Sequence, residues 1–269
     1  MRCFKLSVCF GLVAYPSYTV GFQSLLPKFE IPKLFTPSAF DVKNGNLELE
    51  QKLLDAIASN SNSRLDNNEQ IASLVQQLEE SGDGIEEPAI STKVYGKWRL
   101  LHTTNTDTSS PIQRKAVDAT KFNIYQDIVF AAPSSEKPTL LVNQIVKFSD
   151  SADLCVTALA STANYPLEEL TDRQGTGKIL GLNILGVSLI GEEAAEDINR
   201  PNSRINFVFD EGRFNLFGGK FQIPYPVPFR SPLFRDAVKG WIDITYLSDN
   251  IRIARGNKGT TFVLRKEQE

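Results

Sequence analysis

Hydrophobic positions follow two different rhythms along the chain. From Leu47 to Ala58, the apolar residues Leu47, Leu49, Leu53, Leu54, Ile57 and Ala58 recur largely at three- and four-residue spacing. Glu48, Glu50, Gln51, Lys52 and Asp55 fall between them, and this pattern predicts an amphipathic helix. After a polar break at Ser59 to Ser63, Asn67 or Asn68 can cap a second helix that carries Ile71, Leu74, Val75 and Leu78 on one face. That helix should stop before Gly82 and Gly84, in an acidic stretch (Glu79, Glu80, Asp83, Glu86, Glu87) that reads as a solvated connector.

Beyond Gly96 the rhythm changes to alternation. The segments 97–104, 122–130, 139–148, 154–161, 183–190, 203–209, 213–222, 241–247, 250–255 and 260–265 all read as strands. Roughly eight to ten short strands with no helix-length pattern between them predict an antiparallel barrel or sandwich rather than a parallel sheet. Pro224, Pro226, Pro228 and Pro232 interrupt the alternation, with Tyr225, Phe229 and Phe234 among or just after them. Proline cannot donate to a ladder, so this piece is no central strand. Two readings stay open for it, an apolar loop over a barrel mouth or a rigid linker.

The first forty residues differ in character. Arg2 and Lys5 precede an apolar run from Leu6 to Tyr15 that is too short to span a bilayer. Thr19 and Gly21 suit a cut before Phe22, and the stretch from Phe22 to Phe40 holds Lys28 and Lys33 with Glu30 as its one acid. The expected layout is a signal peptide over 1–21, a transit-like segment over 22–40, a helical segment over 41–88 and a β-barrel over 94–266. Such a bipartite leader is similar to those of algae whose plastid lies behind extra membranes. A plain secretory signal followed by a linker is the other reading.

Composition narrows the chemistry. With 29 basic against 32 acidic residues the net charge is −3, which lacks the basic footprint of a nucleic-acid binder. One histidine and three cysteines without a C-x-x-C pair argue against a multi-histidine metal site or a zinc module, so no metal and no cofactor is expected. Gly175-Thr176-Gly177-Lys178 lacks the strand before it and the Gly-Lys-Ser/Thr ending of a phosphate loop. Arg255-Gly256-Asn257-Lys258-Gly259 has the residues of a tight hairpin. His102 reads as a half-buried strand residue, because no nucleophile elbow accompanies it. Asp243 and Asp249 flank Tyr246, which makes acid-base chemistry conceivable, although neutralising Arg252 and Arg255 is the plainer role.

Closing a barrel requires its first and last strands to meet. Gly96-x-Trp98 opens the first strand, and Arg252 and Arg255 lie on a late one, so a guanidinium stacked on the Trp98 indole could seal one end. Gly96-x-Trp98 resembles the opening signature of the lipocalin barrels.

The longer runs are more specific. Leu53-Leu54-Asp55-Ala56-Ile57, the run from Gly96 through Trp98 to Thr104, and the block from Gly240 to Leu247 followed by Ile251 to Gly259 and Phe262 to Leu264 resemble the plastid lipid-associated protein (PAP, fibrillin or plastoglobulin) family over about 47–264. His102, in place of a common tyrosine, and Ser248, in place of a common acid, depart from its pattern. In the block, Asp243, Tyr246, Gly256, Asn257, Lys258 and Gly259 are the motif residues. The resemblance implies a lipocalin-like antiparallel β-barrel preceded by two amphipathic helices. It also implies a noncatalytic plastid protein that holds or coats carotenoids, prenylquinones or acyl lipids at thylakoids or plastoglobules, with a plastid membrane or lipid-droplet surface as partner. Candidate cavity residues are Trp98, Leu100, Phe207, Phe209, Trp241 and Phe262, and a one-residue slip in register would turn any of them outward. An enzyme using Asp243, Asp249, Tyr246 or His102 on a lipophilic substrate, and a scaffold for a biosynthetic enzyme, are the competing functions.

Overall fold

The structure is a computed structural model that describes residues 42–60, 68–104, 122–131, 138–171, 177–179, 183–184, 187–188, 191–233, 235–257 and 259–268. The leader read over residues 1–40, together with Gly175, Thr176, Phe234 and Lys258, lies outside these. Two helices come first, α1 (Val42–Ser59) and α2 (Glu69–Glu80). Asn68 caps α2, its side chain accepting from the Gln70 and Ile71 amides at 2.9 and 3.2 Å. A single 3-10 turn, Thr92–Val94, leads into the strands.

The strands are β1 (Gly96–Thr103), β2 (Asn123–Ala131), β3 (Thr139–Ser149), β4 (Ala152–Ser161), β5 (Gly177–Ile179), β6 (Asn183–Ile184), β7 (Val187–Ser188), β8 (Gly191–Glu193), β9 (Arg204–Leu216), β10 (Phe221–Pro224), β11 (Lys239–Leu247), β12 (Ile251–Gly256) and β13 (Thr261–Lys266). A short helix, α3 (Glu168–Thr171), follows β4. The antiparallel order β9-β11-β12-β13-β1-β2-β3-β4, with β4 pairing back onto β9, closes an eight-stranded barrel. The fold is thus mainly β, lipocalin-like, with N-terminal helices. β10 hangs on β9 as a hairpin arm outside the ring, and β5 with β8 and β6 with β7 form two small separate pairs.

Two segments expected as separate strands, 203–209 and 213–222, are largely one. β9 runs through them with a bulge opposite Thr157 and Ala158, and the chain turns only after Leu216. A bulge accommodates the extra residue while bending the strand, so the charged Asp210-Glu211-Gly212 run does not terminate it. The expected strand over 183–190 is instead the short β6/β7 pair.

The burial clusters assign each face. Trp98, Leu100, Ile124, Ile128, Leu140, Val142, Ala160, Ile205, Ile242, Ile244, Leu247, Ala254 and Leu264 form the core within the barrel. Tyr246, Ile251, Ile253 and Val263 project from β11, β12 and β13 to the outside, where Leu53, Ala56, Ile71, Val75 and Leu78 of the helices cover them. β12 is therefore buried on both faces, with Arg252 and Ala254 inward and Ile251 and Ile253 under the helices. Tyr246 donates to Glu50 Oε1 at 2.8 Å, tying α1 to the barrel through a contact with both groups buried. Arg255 forks onto the Glu79 carboxylate at 3.1 and 2.6 Å and so ties down α2.

Candidate functional site

The barrel interior changes character from one end to the other. At one end, β1 begins with Gly96 at a φ of +94°, where a Cβ would stand 3.2 Å from Lys266 Nζ. Glycine is needed there for both reasons. Two residues on, fully buried Trp98 donates from Nε1 to the Val94 carbonyl at 2.8 Å. The Arg252 guanidinium lies 4.9 Å and Lys266 Nζ 4.5 Å from the centroid of its ring. Lys266 also donates to the Lys93 and Tyr95 carbonyls, closing the 3-10 turn over this end. Ala89, Val94, Ile128, Leu140 and Leu247 fill the remaining space.

Arg252, then, is the arginine at the closure, and Arg255 is not. Arg255 sits one residue out of phase with the inward positions of β12, which directs it outside to Glu79. Midway along the barrel lies a polar layer. Gln126 pairs in register with Trp98 on one side and Gln144 on the other, and it accepts from Arg252 Nη2. Both glutamines remain half-buried inside the ring.

The other end is aromatic. Phe262 and Phe207 pack against the inner core while staying half-buried, and Thr103 pairs with Phe262. Gly240 is opposite Phe207, and a Cβ there would fall 2.6 Å from Phe207 Cζ, so the glycine makes room for that ring. Phe207 leads to Phe209 (centroids 5.3 Å apart), then to Phe229 (5.6 Å) and Tyr225 (6.0 Å, interplanar 8°). The proline-rich stretch is accordingly a loop folded over the mouth. Tyr225 packs on Gly212, which pairs with Val156, itself level with Gln144 on the inward side. Arg230 pins the loop through a forked contact to Asp210 (3.0 and 2.6 Å), and this contact holds the Asp210 carboxyl below its ordinary range.

Of the cavity candidates, Trp98 and Leu100 line the closed half, and Phe207, Phe209 and Phe262 the mouth. Trp241 does not belong with them. It pairs with Asn206 between the inward pairs Gly240–Phe207 and Ile242–Ile205, so alternation sends it outside. There Arg204 lies 4.0 Å over its ring. The same arginine forks onto Asp243 at 2.6 and 2.7 Å and donates to the Ala194 and Ala195 carbonyls. Asp243 therefore neutralises Arg204, not Arg252 or Arg255. Sequence reasoning missed Arg204, because the pairing partner lies across a strand pair, 39 positions away.

The acid-base candidates do not converge. Asp243 is engaged with Arg204 outside the barrel, and Asp249 is exposed with Lys93 at 2.5 Å. Tyr246 faces Glu50, and burial and that carboxylate together raise its pKa. His102 is buried after a bulge that brings it level with Val263, on the helix-covered side. The remaining motif residues shape the β12–β13 turn, where the Gly256 amide donates to Thr260, Asn257 to Trp241, and Gly259 has a φ of +73°. Cys155 is a buried free thiol with a raised pKa, caused chiefly by burial.

Among the described residues, no helix is long and apolar enough to cross a membrane. No solved structure matches the chain. In curated proteins, the chain is 36% identical over 230 residues to "Probable plastid-lipid-associated protein 12, chloroplastic" of Arabidopsis thaliana, covering 82% of this chain and 45% of that protein. It is 24% identical over 210 residues to "Light-induced protein, chloroplastic" of Solanum demissum and of Solanum tuberosum, covering 74% of this chain and 60% of each. The chain thus spans about half the length of the curated relatives it matches. The PAP_fibrillin family profile matches residues 47–174 and 183–265, a span that takes in most of α1, all of α2 and the barrel strands up to residue 265, and the chain belongs to that family.

Proposed function

We propose that this protein is a plastid lipid-associated protein whose barrel holds a lipophilic molecule, without catalysing its conversion. The observation that carries the reading is the pair Phe207 and Phe262. They face the interior of a closed ring and yet stay half-buried, which leaves apolar surface accessible between the sealed end and the loop over the mouth. A small barrel is suited to enclosing one ligand. Removing apolar surface from water contributes about 25 cal/mol per Å², so a prenyl or acyl chain burying several hundred Å² reaches roughly micromolar affinity after the cost of association. The names of the relatives support a plastid setting and a lipid partner.

Peripheral attachment to a thylakoid or lipid-droplet surface would fall on the β9–β10 arm. Phe217, Phe221 and Ile223 are exposed there, and Gly218 donates to Ser151 in the adjoining β3–β4 turn, which presents Phe148. Apolar side chains gathered at one projecting point mark an interaction surface.

Because Trp241 is outside, a Trp241→Phe variant leaves Trp98 as the one indole reporter. Titration of that variant with a carotenoid, a prenylquinone and a fatty acid should give saturable quenching that is little affected by salt. No saturable binding, or turnover of any of these compounds, would overturn the reading.

A further inference from the structure

Among the described residues two arginines are almost fully buried, and the protein treats them oppositely. Arg204, 9% exposed, has a carboxylate on one side, two backbone carbonyls on the other and the Trp241 ring against its face. Its charge is neutralised and its fork is occupied. Arg252, 0% exposed, has one hydrogen bond, from Nη2 to the neutral amide of Gln126. Its Nε and Nη1 are buried without a partner. Trp98 offers a ring face, which attracts the cation but accepts no in-plane hydrogen bond.

Burial of an ion without a counter-charge is strongly unfavourable, and each orphaned donor adds to the cost. Burial alone lowers the Arg252 pKa, to about 9, with no carboxylate among the described residues working the other way. Position makes this more than a packing fault. Arg252 is inward on β12, level with Leu264 and Leu247, where the sealed apolar end gives way to the half-buried glutamine layer. Beyond that layer stand the Phe207 and Phe262 rings, with the buried Thr103 hydroxyl level with Phe262.

We propose that Arg252 is the head-group site of the barrel, receiving the carboxylate of an acidic amphiphile whose apolar tail extends toward the aromatic mouth. This rests on the lipid-binding reading above and specifies its ligand class. A carboxylate matches the guanidinium fork, supplies the missing counter-charge and takes up the orphaned donors. Gln126, half-buried and itself an acceptor, is the side chain that yields when the carboxylate arrives. Uncharged carotenoids or quinones would fill the mouth but leave Arg252 as it is.

The test compares palmitic acid with methyl palmitate at fixed pH in the Trp241→Phe background, where the remaining reporter lies against the guanidinium. The acid should bind at least about tenfold more tightly than the ester, the advantage expected of a charge-assisted fork. Arg252→Met should reduce that ratio to near one by weakening the acid, and Arg252→Lys should keep part of it. Should Arg252→Met not fold, Gln126→Leu, which removes the competing acceptor, should widen the ratio. Equal affinity of acid and ester for the unaltered site would overturn the head-group assignment and leave the lipid cavity standing. Saturable binding of neither would overturn both.

Discussion

The two ends of the barrel use aromatic residues for opposite purposes. At the closed end, Trp98 is fully buried, hydrogen-bonded through its indole nitrogen and flanked by two cations. At the mouth, Phe207, Phe209 and Phe262 are half-buried; Phe207 and Phe209 meet edge-on, Phe209 lies tilted against Phe229, and Phe262 packs on the inner core. The closed end is packed and hydrogen-bonded around the Trp98 indole. The mouth leaves its rings half-buried, which under the proposed function admits a ligand at the expense of some stability.

The comparison breaks most readily at Trp98. Trp98→Ala removes a large buried aromatic and leaves Arg252 and Lys266 without its ring, so it should cost about 3–5 kcal/mol in urea-induced unfolding. Phe262→Ala, at the half-buried mouth, should cost less than half of that while weakening lipophile binding more. Equal stability losses would mean that the two ends are not specialised.

Tyr246→Phe comes next. It leaves buried Glu50 without its donor and should cost about 1–3 kcal/mol, since an orphaned buried acceptor loses its solvation. Its pH signature has a definite sign. Because the folded-state pKa of Tyr246 is raised, its contribution is fully present below the ordinary tyrosine value near 10 and is lost as pH climbs above it. Stability of the unaltered protein should therefore fall from pH 9 to 11 more steeply than that of Tyr246→Phe. Parallel profiles would remove the linkage.

Much of the fold was legible in the sequence because each element's pattern is local. The helix spacing and the Asn68 cap lie within single turns, and Gly96-x-Trp98 contains its own explanation, a glycine needed at positive φ two residues before a buried indole. What was not legible depends on phase between strands. Trp241 and Phe207 look alike as aromatic residues in alternating segments, yet only their register with each other shows that they face opposite ways. Bulges in β1, β9 and β11 shift that phase part-way along a strand, which is how His102 and Tyr246 come to lie under the helices. The Arg204–Asp243 pair and the missing counter-ion of Arg252 are relations across the sheet. No spacing along the chain encodes them.

The smallest expected effect on stability gives the finest test of the mouth. In Gly212→Ala the new Cβ would fall 2.7 Å from Tyr225 Cβ, a separation that must relax. Tyr225 cannot give way simply by rotating its ring, because the clashing atom is next to the backbone and the Tyr225 amide is bonded to the Gly212 carbonyl at 2.8 Å. The loop as a whole must lift, and with it the stacked Phe229 ring. Most of the overpacking is relieved by that movement, so the cost should lie near the low end of the usual range, about 1 kcal/mol. Ligand exchange should respond more. With the loop lifted, stopped-flow quenching of Trp98 should show faster association and faster release, leaving the dissociation constant within about threefold. Unchanged rates alongside the stability loss would show that the proline-rich loop covers the mouth without controlling passage through it.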